Sequence, residues 1–315
     1  MVHACAQMCG PHATPNREHA ASELVSCAGT CDRRRTIRGT DSDHWTGRIR
    51  SIPHLWHPGA FTLIEVLVVV GIVATLVSIL LPGLSAAREQ ARAVVCRSNI
   101  RQVILANGYY KEDYRGVYCP GASDFLRNLH RWHGEREHPS QPFDPTRGPL
   151  VPFLGSDGAI RQCPTFPADQ IAAETGGFER GNGGYGYNND FVGVQLIEYS
   201  SGDYVVLNDR AGTLADRIRR PAETIMFTDT AFAASGLIEY SFAESRFHPQ
   251  FPGVRAVPSI HFRHRKQASV GWCDAHVDAH PMTYTEWNHL YRADPERFGI
   301  GWFGEADDNQ LFDLK

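Results

Sequence analysis

Six side chains near the C-terminal end, His261, His264, Asp274, His276, Asp278 and His280, carry the imidazole and carboxylate groups that ligate zinc. On a strand, His276, Asp278 and His280 share one face, because alternate residues point the same way. One strand face cannot close a coordination shell alone, and no nucleophile or general base stands beside it. A surface metalloenzyme is therefore the least supported reading, and no catalytic residue is expected. His264 and Asp274 are expected instead to hydrogen-bond to each other and close a sheet beside its hairpin. Asn188, Asn189 and Asp190 offer oxygens to a calcium ion, although EF-hand spacing is absent. The same residue types populate turns, because their side chains bond nearby backbone groups. Apart from that calcium, no cofactor is expected.

The glycines at 176, 177, 181, 183, 184 and 186 invite comparison with a phosphate-binding loop, but no Lys-Ser/Thr follows them and no apolar helix begins there. They read as turns. Cys96, Cys119, Cys163 and Cys273 allow three complete disulfide pairings. Cys96 falls on a helical pattern and is expected to be a small buried residue. A disulfide is expected among Cys119, Cys163 and Cys273, which fall in loop or strand contexts. Cys5, Cys9, Cys27 and Cys31 form two Cys-x3-Cys pairs that could hold zinc with His3 or His12. The plainer reading of residues 1–60 is a disordered extension, or a start codon assigned too far upstream.

The elements that position these groups begin with an apolar helix. Residues 61–81 are apolar all round, and Glu65 is their sole charge. At 1.5 Å per residue this segment spans roughly 31 Å, about the thickness of a bilayer's hydrocarbon core. A lone carboxylate in such a helix is costly in lipid, so it calls for a function. Arg33, Arg34, Arg35, Arg38, Arg48 and Arg50 precede the segment, whereas Arg88 and Arg92 follow it beside Glu89. Flanking positive charge stays cytoplasmic, which puts residues 1–60 inside and the remainder outside. Pro82-Gly83 is expected to kink or locally melt the helix. Residues 84–114 then repeat Ala93, Cys96, Ile100, Val103, Ile104, Tyr110 and Tyr114 at three- and four-residue spacing, the pattern of a helix with one face packed on a head.

Residues 61–315 carry 24 basic and 30 acidic side chains, a net charge of −6, so nothing in their charge favours nucleic acid as a partner. Beyond the helix, clustered prolines at 139, 142, 145, 149 and 152 and the glycine run mark loops. Strands are expected at 192–199, 204–207, 224–228 and 268–273, the last paired with 276–280. The fold class is α+β: a long N-terminal helix on an antiparallel sheet with long excursions.

Ala60-Phe61-Thr62-Leu63-Ile64-Glu65 resembles the class III signal of type IV pilins and type II secretion pseudopilins. The resemblance implies that prepilin peptidase cuts between Ala60 and Phe61 and that Phe61 becomes an N-methylated terminus. Glu65 is then the fifth residue of the mature chain and Pro82 the twenty-second, where pilins commonly carry proline. Ala60 departs from the glycine more usual before the cut. The pair His264 and Asp274, with nine residues between them, is similar to the H-x9-D-G element of prepilin-like proteins frequent in planctomycetes. Cys163-Pro164 and Tyr185-Gly186-Tyr187-Asn188 resemble that group's Cys-Pro and Tyr-Gly-x-Asn elements, while Ala275 replaces its glycine. With alanine there, the turn after Asp274 is expected to require positive φ less readily.

This resemblance implies a leader at 1–60, a transmembrane half of the helix at 61–81, an amphipathic half at 82–115 and a head at 116–315. It implies a single-pass inner-membrane protein with a cytoplasmic N-terminus and a head in the periplasm or in an extracellular filament. The implied partners are other pilin-like subunits, prepilin peptidase, the secretion or pilus assembly platform and membrane lipid. Glu65 would be compensated by the Phe61 amino group of a neighbouring subunit, a pairing that sets register more than stability. The alternative is a membrane-tethered binding protein that does not polymerise.

Overall fold

The computed structural model describes residues 61–124, 126–155, 158, 160–166, 179–193, 196–200, 203–249, 251, 253–289, 291–304 and 308–315. Ala60, the leader with its four cysteines, and Gly176-Gly177 lie outside the described residues. Helix α1, Leu63–Asp113, has 51 residues. It starts where Thr62, in extended conformation, accepts the Glu65 N–H, while the Glu65 carboxylate takes the Thr62 N–H at 2.8 Å and its hydroxyl at 2.7 Å. This is a reciprocal capping box, which satisfies donors that a helix start leaves without partners.

α1 passes through Pro82 without interruption, which corrects the expected local melting at Pro82-Gly83. Proline removes one N–H from the helical ladder, and long runs of helix formers on both sides keep the remaining bonds in place. Ser85 adds a bond from its hydroxyl to the Pro82 carbonyl at 2.9 Å. The first half of α1 packs against none of the described residues. Its apolar side chains stand exposed, Leu63 by 78% and Leu80 by 67%, and it is long and apolar enough to cross a membrane.

From Ala93 onward one face of α1 is buried, through Cys96, Asn99, Ile100, Val103, Ile104, Ala106, Asn107 and Tyr110. The apolar members of this set follow the predicted spacing, and each fully buried aliphatic chain contributes about 1.5–3 kcal/mol. Tyr114, expected on that face, caps the helix C-terminus and is 53% exposed. Asn99 and Asn107 are the unexpected members. Asn99 donates to the Tyr185 hydroxyl at 3.1 Å and Asn107 to the Tyr187 hydroxyl at 3.0 Å, while Asn107 also accepts the Cys119 N–H at 2.9 Å.

The receiving surface is a four-stranded antiparallel sheet of β1 (Tyr185–Tyr187), β2 (Ile225–Asp229), β3 (Gln267–Trp272) and β4 (Val277–Pro281), arranged in chain order. β2, β3 and β4 fall where alternating and β-branched residues predict them. Short pairs accompany the sheet, including Leu196–Ser200 with Asp203–Asn208 and Ile260–His261 with Ile300–Gly301. The architecture is α+β.

β1 lies inside the glycine-rich stretch, where turns are expected. Gly186 explains the difference: a Cβ there would stand 2.6 Å from the Phe242 carbonyl carbon, so the strand needs glycine for close backbone approach. Gly271 does the same for the helix, since its Cβ would meet Ile100 Cγ2 at 2.6 Å and Ile104 still closer. Cross-strand register puts Tyr185 opposite Asp229 and Tyr187 opposite Phe227, which itself faces Gly271. These residues share the helix side. The opposite face is covered by Ile260, Phe262, Trp302, Phe303 and Phe312, which pack with Ile225, Ala268 and Val270. Burial on both faces is why β2 is buried at every position.

Candidate functional site

At the N-terminal tip, Phe61 is 81% exposed and Glu65 presents its carboxylate beside it. Both Thr62 donors go to Oε2 of Glu65, and among the described residues Oε1 accepts no hydrogen bond. The carboxylate therefore closes its own helix start through one oxygen.

The second constellation is buried where α1 meets the sheet. Cys96 comes from α1, Cys163 from the segment before β1, Asp229 from the end of β2, and Arg263 and His264 from the segment entering β3. Cys96 is bonded to Cys163, with their Cα atoms 5.2 Å apart. This corrects the expected pairing: Cys119 and Cys273 are free thiols. Cys96 is a small buried residue as expected, but it sits on the helix face that meets Cys163. Burial raises the Cys119 thiol well above the ordinary thiol range, and burial followed by Asp274 raises that of Cys273.

Asp229 is fully buried and therefore needs charge compensation. Arg263 supplies it at 2.7 Å, and the Ser269 N–H donates to the other carboxylate oxygen at 2.7 Å. Arg263 is held in turn by the carbonyls of Gly184 and Thr230 and lies over the Phe166 ring. His264 is 3% exposed. Its Nε2 stands 3.4 Å from Cys163 Sγ and 3.5 Å from Asp229, and its Nδ1 stands 3.6 Å from Glu89 on α1. Burial lowers the His264 basicity, with Arg263 adding to the effect against the opposing pull of Asp229 and Glu89.

His264 thus does not meet Asp274, which corrects the proposed pair. Asp274 is exposed and accepts both the His276 N–H at 3.0 Å and its Nδ1 at 2.6 Å, an arrangement that fixes the β3–β4 turn. Ala275 in that turn has φ 74°, so this position does take the left-handed conformation even with alanine. The six-residue constellation separates accordingly. His261 and His264 are buried, whereas Asp274 and His276 are exposed, with Asp278 and His280 at the surface 3.0 Å apart.

No protein-family model matches this chain, and no curated protein or solved structure matches it. Its functional reading therefore rests on residues and geometry.

Asn188 donates to the Ile225 and Phe312 carbonyls at 2.9 and 2.8 Å, and its oxygen accepts the Phe191 N–H. Asp190 belongs to another group, with Glu244 and His248, where Ser245 donates to it at 2.9 Å. Burial and the adjacent Asp190 push the Glu244 carboxyl up to about 8. His133 lies 2.8 Å from the Ser241 hydroxyl, the contact of a nucleophile with its base, but both are fully buried. Glu179 accepts from that serine instead of orienting the histidine, so the trio is a packed polar network and lacks the order of an acyl-transfer triad.

Sequence reasoning missed Asp229 and Arg263. The available signal was an acid closing an apolar strand and an arginine directly before His264, two charges that burial obliges to pair.

Proposed function

We propose that this chain is a pilin-like subunit, cut by prepilin peptidase between Ala60 and Phe61 and methylated on the new Phe61 amino group. It is anchored in the inner membrane through the first half of α1. From there it assembles into a type II secretion pseudopilus or a type IV pilus-like filament. Residues 1–60 stay cytoplasmic and the head lies outside, and its work is polymerisation without catalysis. The observation that supports this reading is the start of α1, where a lone carboxylate, one oxygen of which accepts no hydrogen bond among the described residues, stands in an apolar segment that packs on none of those residues. In a filament that oxygen meets the Phe61 amine of the next subunit, and the apolar segments bury one another. A charge pair in such surroundings selects register.

A tethered binding protein is the second reading, favoured by a cavity of about 310 Å³ in the head lined by residues such as Arg246, Phe303, Asp308 and Gln310. Intact mass of the membrane form, with and without prepilin peptidase, tests the first reading. A chain beginning at methylated Phe61 is the expected result, and an uncut chain in the presence of active peptidase overturns it. Glu65→Val then separates the two readings: a filament subunit loses assembly, and a tethered binder keeps its ligand.

A further inference from the structure

We propose that Cys96, Cys163, Asp229 and His264 form a zinc site when the two cysteines are reduced, so that a zinc ion and the disulfide are alternative fasteners between α1 and the sheet. The inference is independent of the filament reading.

The donor set is the first support. Two thiolates, an imidazole and a carboxylate are ordinary zinc ligands, and all four donor atoms lie buried within 4.8 Å of one another. Their spacing is the second. With bonds of about 2.0–2.3 Å to a tetrahedral zinc, neighbouring ligand atoms stand about 3.3–3.8 Å apart. The separations here are 3.4 Å from Cys163 Sγ to His264 Nε2, 3.5 Å from that nitrogen to Asp229 Oδ2, and 3.7 Å from Cys96 Sγ to Asp229 Oδ1. A tetrahedron takes one carboxylate oxygen, so two of its edges are already in place whichever Asp229 oxygen is the donor, and the third distance is made by the other oxygen. Breaking the disulfide frees the sulfur–sulfur edge to open.

The surrounding groups are those that metal ligands require. A ligating histidine is oriented by a partner on its other nitrogen, and His264 Nδ1, which makes no hydrogen bond among the described residues, faces the Glu89 carboxylate at 3.6 Å. Thr165 donates to that same Glu89 oxygen at 3.3 Å. The Asp229 carboxylate is fixed by Arg263 and by the Ser269 N–H.

Charge balance is the remaining support. With the disulfide closed, Asp229 and Arg263 cancel. A phosphine reductant in water breaks the sulfur–sulfur bond: two electrons pass from phosphorus to sulfur, each sulfur takes a proton from water, and the phosphine becomes its oxide. Zinc then displaces one proton from each thiol, and the imidazole and carboxylate add lone pairs unchanged. A dication replaces two protons, so the buried site stays neutral in both states. A newly made chain carries the same two thiols before oxidation and needs no reductant.

The test uses the full chain in detergent, reduced with a phosphine, loaded with zinc, freed of excess metal and analysed by elemental mass spectrometry. The reduced protein is expected to hold one more zinc per chain than its oxidised form or than C96S/C163S, whereas C119A/C273A keeps the metal. Replacing zinc with cobalt(II) should give sulfur-to-metal absorption that is lost in H264A. Glu89→Gln leaves all four ligands in place and should weaken zinc binding by about 10-fold or more. Equal zinc in the reduced protein and in C96S/C163S would overturn the proposal, as would unchanged affinity in both H264A and Glu89→Gln.

Discussion

The two halves of α1 handle their polar groups in opposite ways. In the exposed half, the hydroxyls of Thr75, Ser78 and Ser85 bond back to carbonyls of the same helix, at Gly71, Thr75 and Pro82. In the packed half, Asn99 and Asn107 reach across to Tyr185 and Tyr187 on the sheet. A segment bound for lipid must satisfy its polar groups internally, whereas a segment against a sheet can use its partners to fix its position. One unbroken helix thus has an end that packs on none of the described residues and an end that packs on the sheet. If the proposed assembly holds, substitutions should sort by half, with assembly changing in one case and head stability in the other.

Asp229→Ala is the strongest way to break this division. It leaves Arg263 buried without its partner, and losing one member of such a pair costs about 3–5 kcal/mol. Head unfolding followed by tryptophan fluorescence should shift by that amount, while Glu65→Val should leave the same transition in place. If Glu65→Val unfolds the head as well, the two halves are not independent.

The pH dependence of stability should belong to the head. Glu244 in the folded chain holds its proton to about pH 8, above the ordinary value of 4.5. The folded state therefore binds more protons than the unfolded state across that window, so stability is highest near the acid end and falls as pH rises through it. The slope is at most about 1.4 kcal/mol per pH unit for one proton. Denaturant titrations at about pH 5 and about pH 8 should show the decline, and Glu244→Gln should flatten it. A slope unchanged in that variant would place its source elsewhere.

Asn107→Ala tests the contrast directly. It deprives the Cys119 N–H and the Tyr187 hydroxyl of buried partners, at a cost of about 1–3 kcal/mol in head stability. Ser78→Ala deletes a bond internal to the exposed half, and the head's denaturation midpoint should not move. Equal losses would mean that the exposed half contributes to the head fold.

The parts of this architecture governed by local pattern were legible in the sequence. The apolar run at 61–81, the spacing of Ala93 to Tyr110 and strands β2 to β4 follow from periodicity. β1 was hidden because its Gly186 reads as a turn residue, and only the approach of Phe242 shows why a strand needs it. The helix does not melt at Pro82 because local propensity yields to the cooperativity of a long helix. Asp229 could not be matched to Arg263, 34 residues away, or to Cys96, 133 residues away, because their proximity is a product of the fold. His264 and Asp274 were joined by a motif, yet the motif's two ends serve different places: one closes a buried cluster and the other shapes a surface turn.

That turn gives the mildest probe of the division between halves. Ala275 adopts φ 74°, a conformation that costs an L-residue with a Cβ roughly 1–2 kcal/mol and costs glycine almost nothing sterically. Glycine loses more conformational freedom on folding, which offsets part of the relief, so Ala275→Gly should stabilise the head by about 1 kcal/mol or less. The change touches neither half of α1. The unfolding midpoint should rise while filament yield stays the same, because in the proposed filament assembly depends on the tip of the helix and not on a surplus of head stability. A filament yield that rose with the midpoint would instead make head stability the limiting quantity and blur the separation that the two halves of α1 otherwise define.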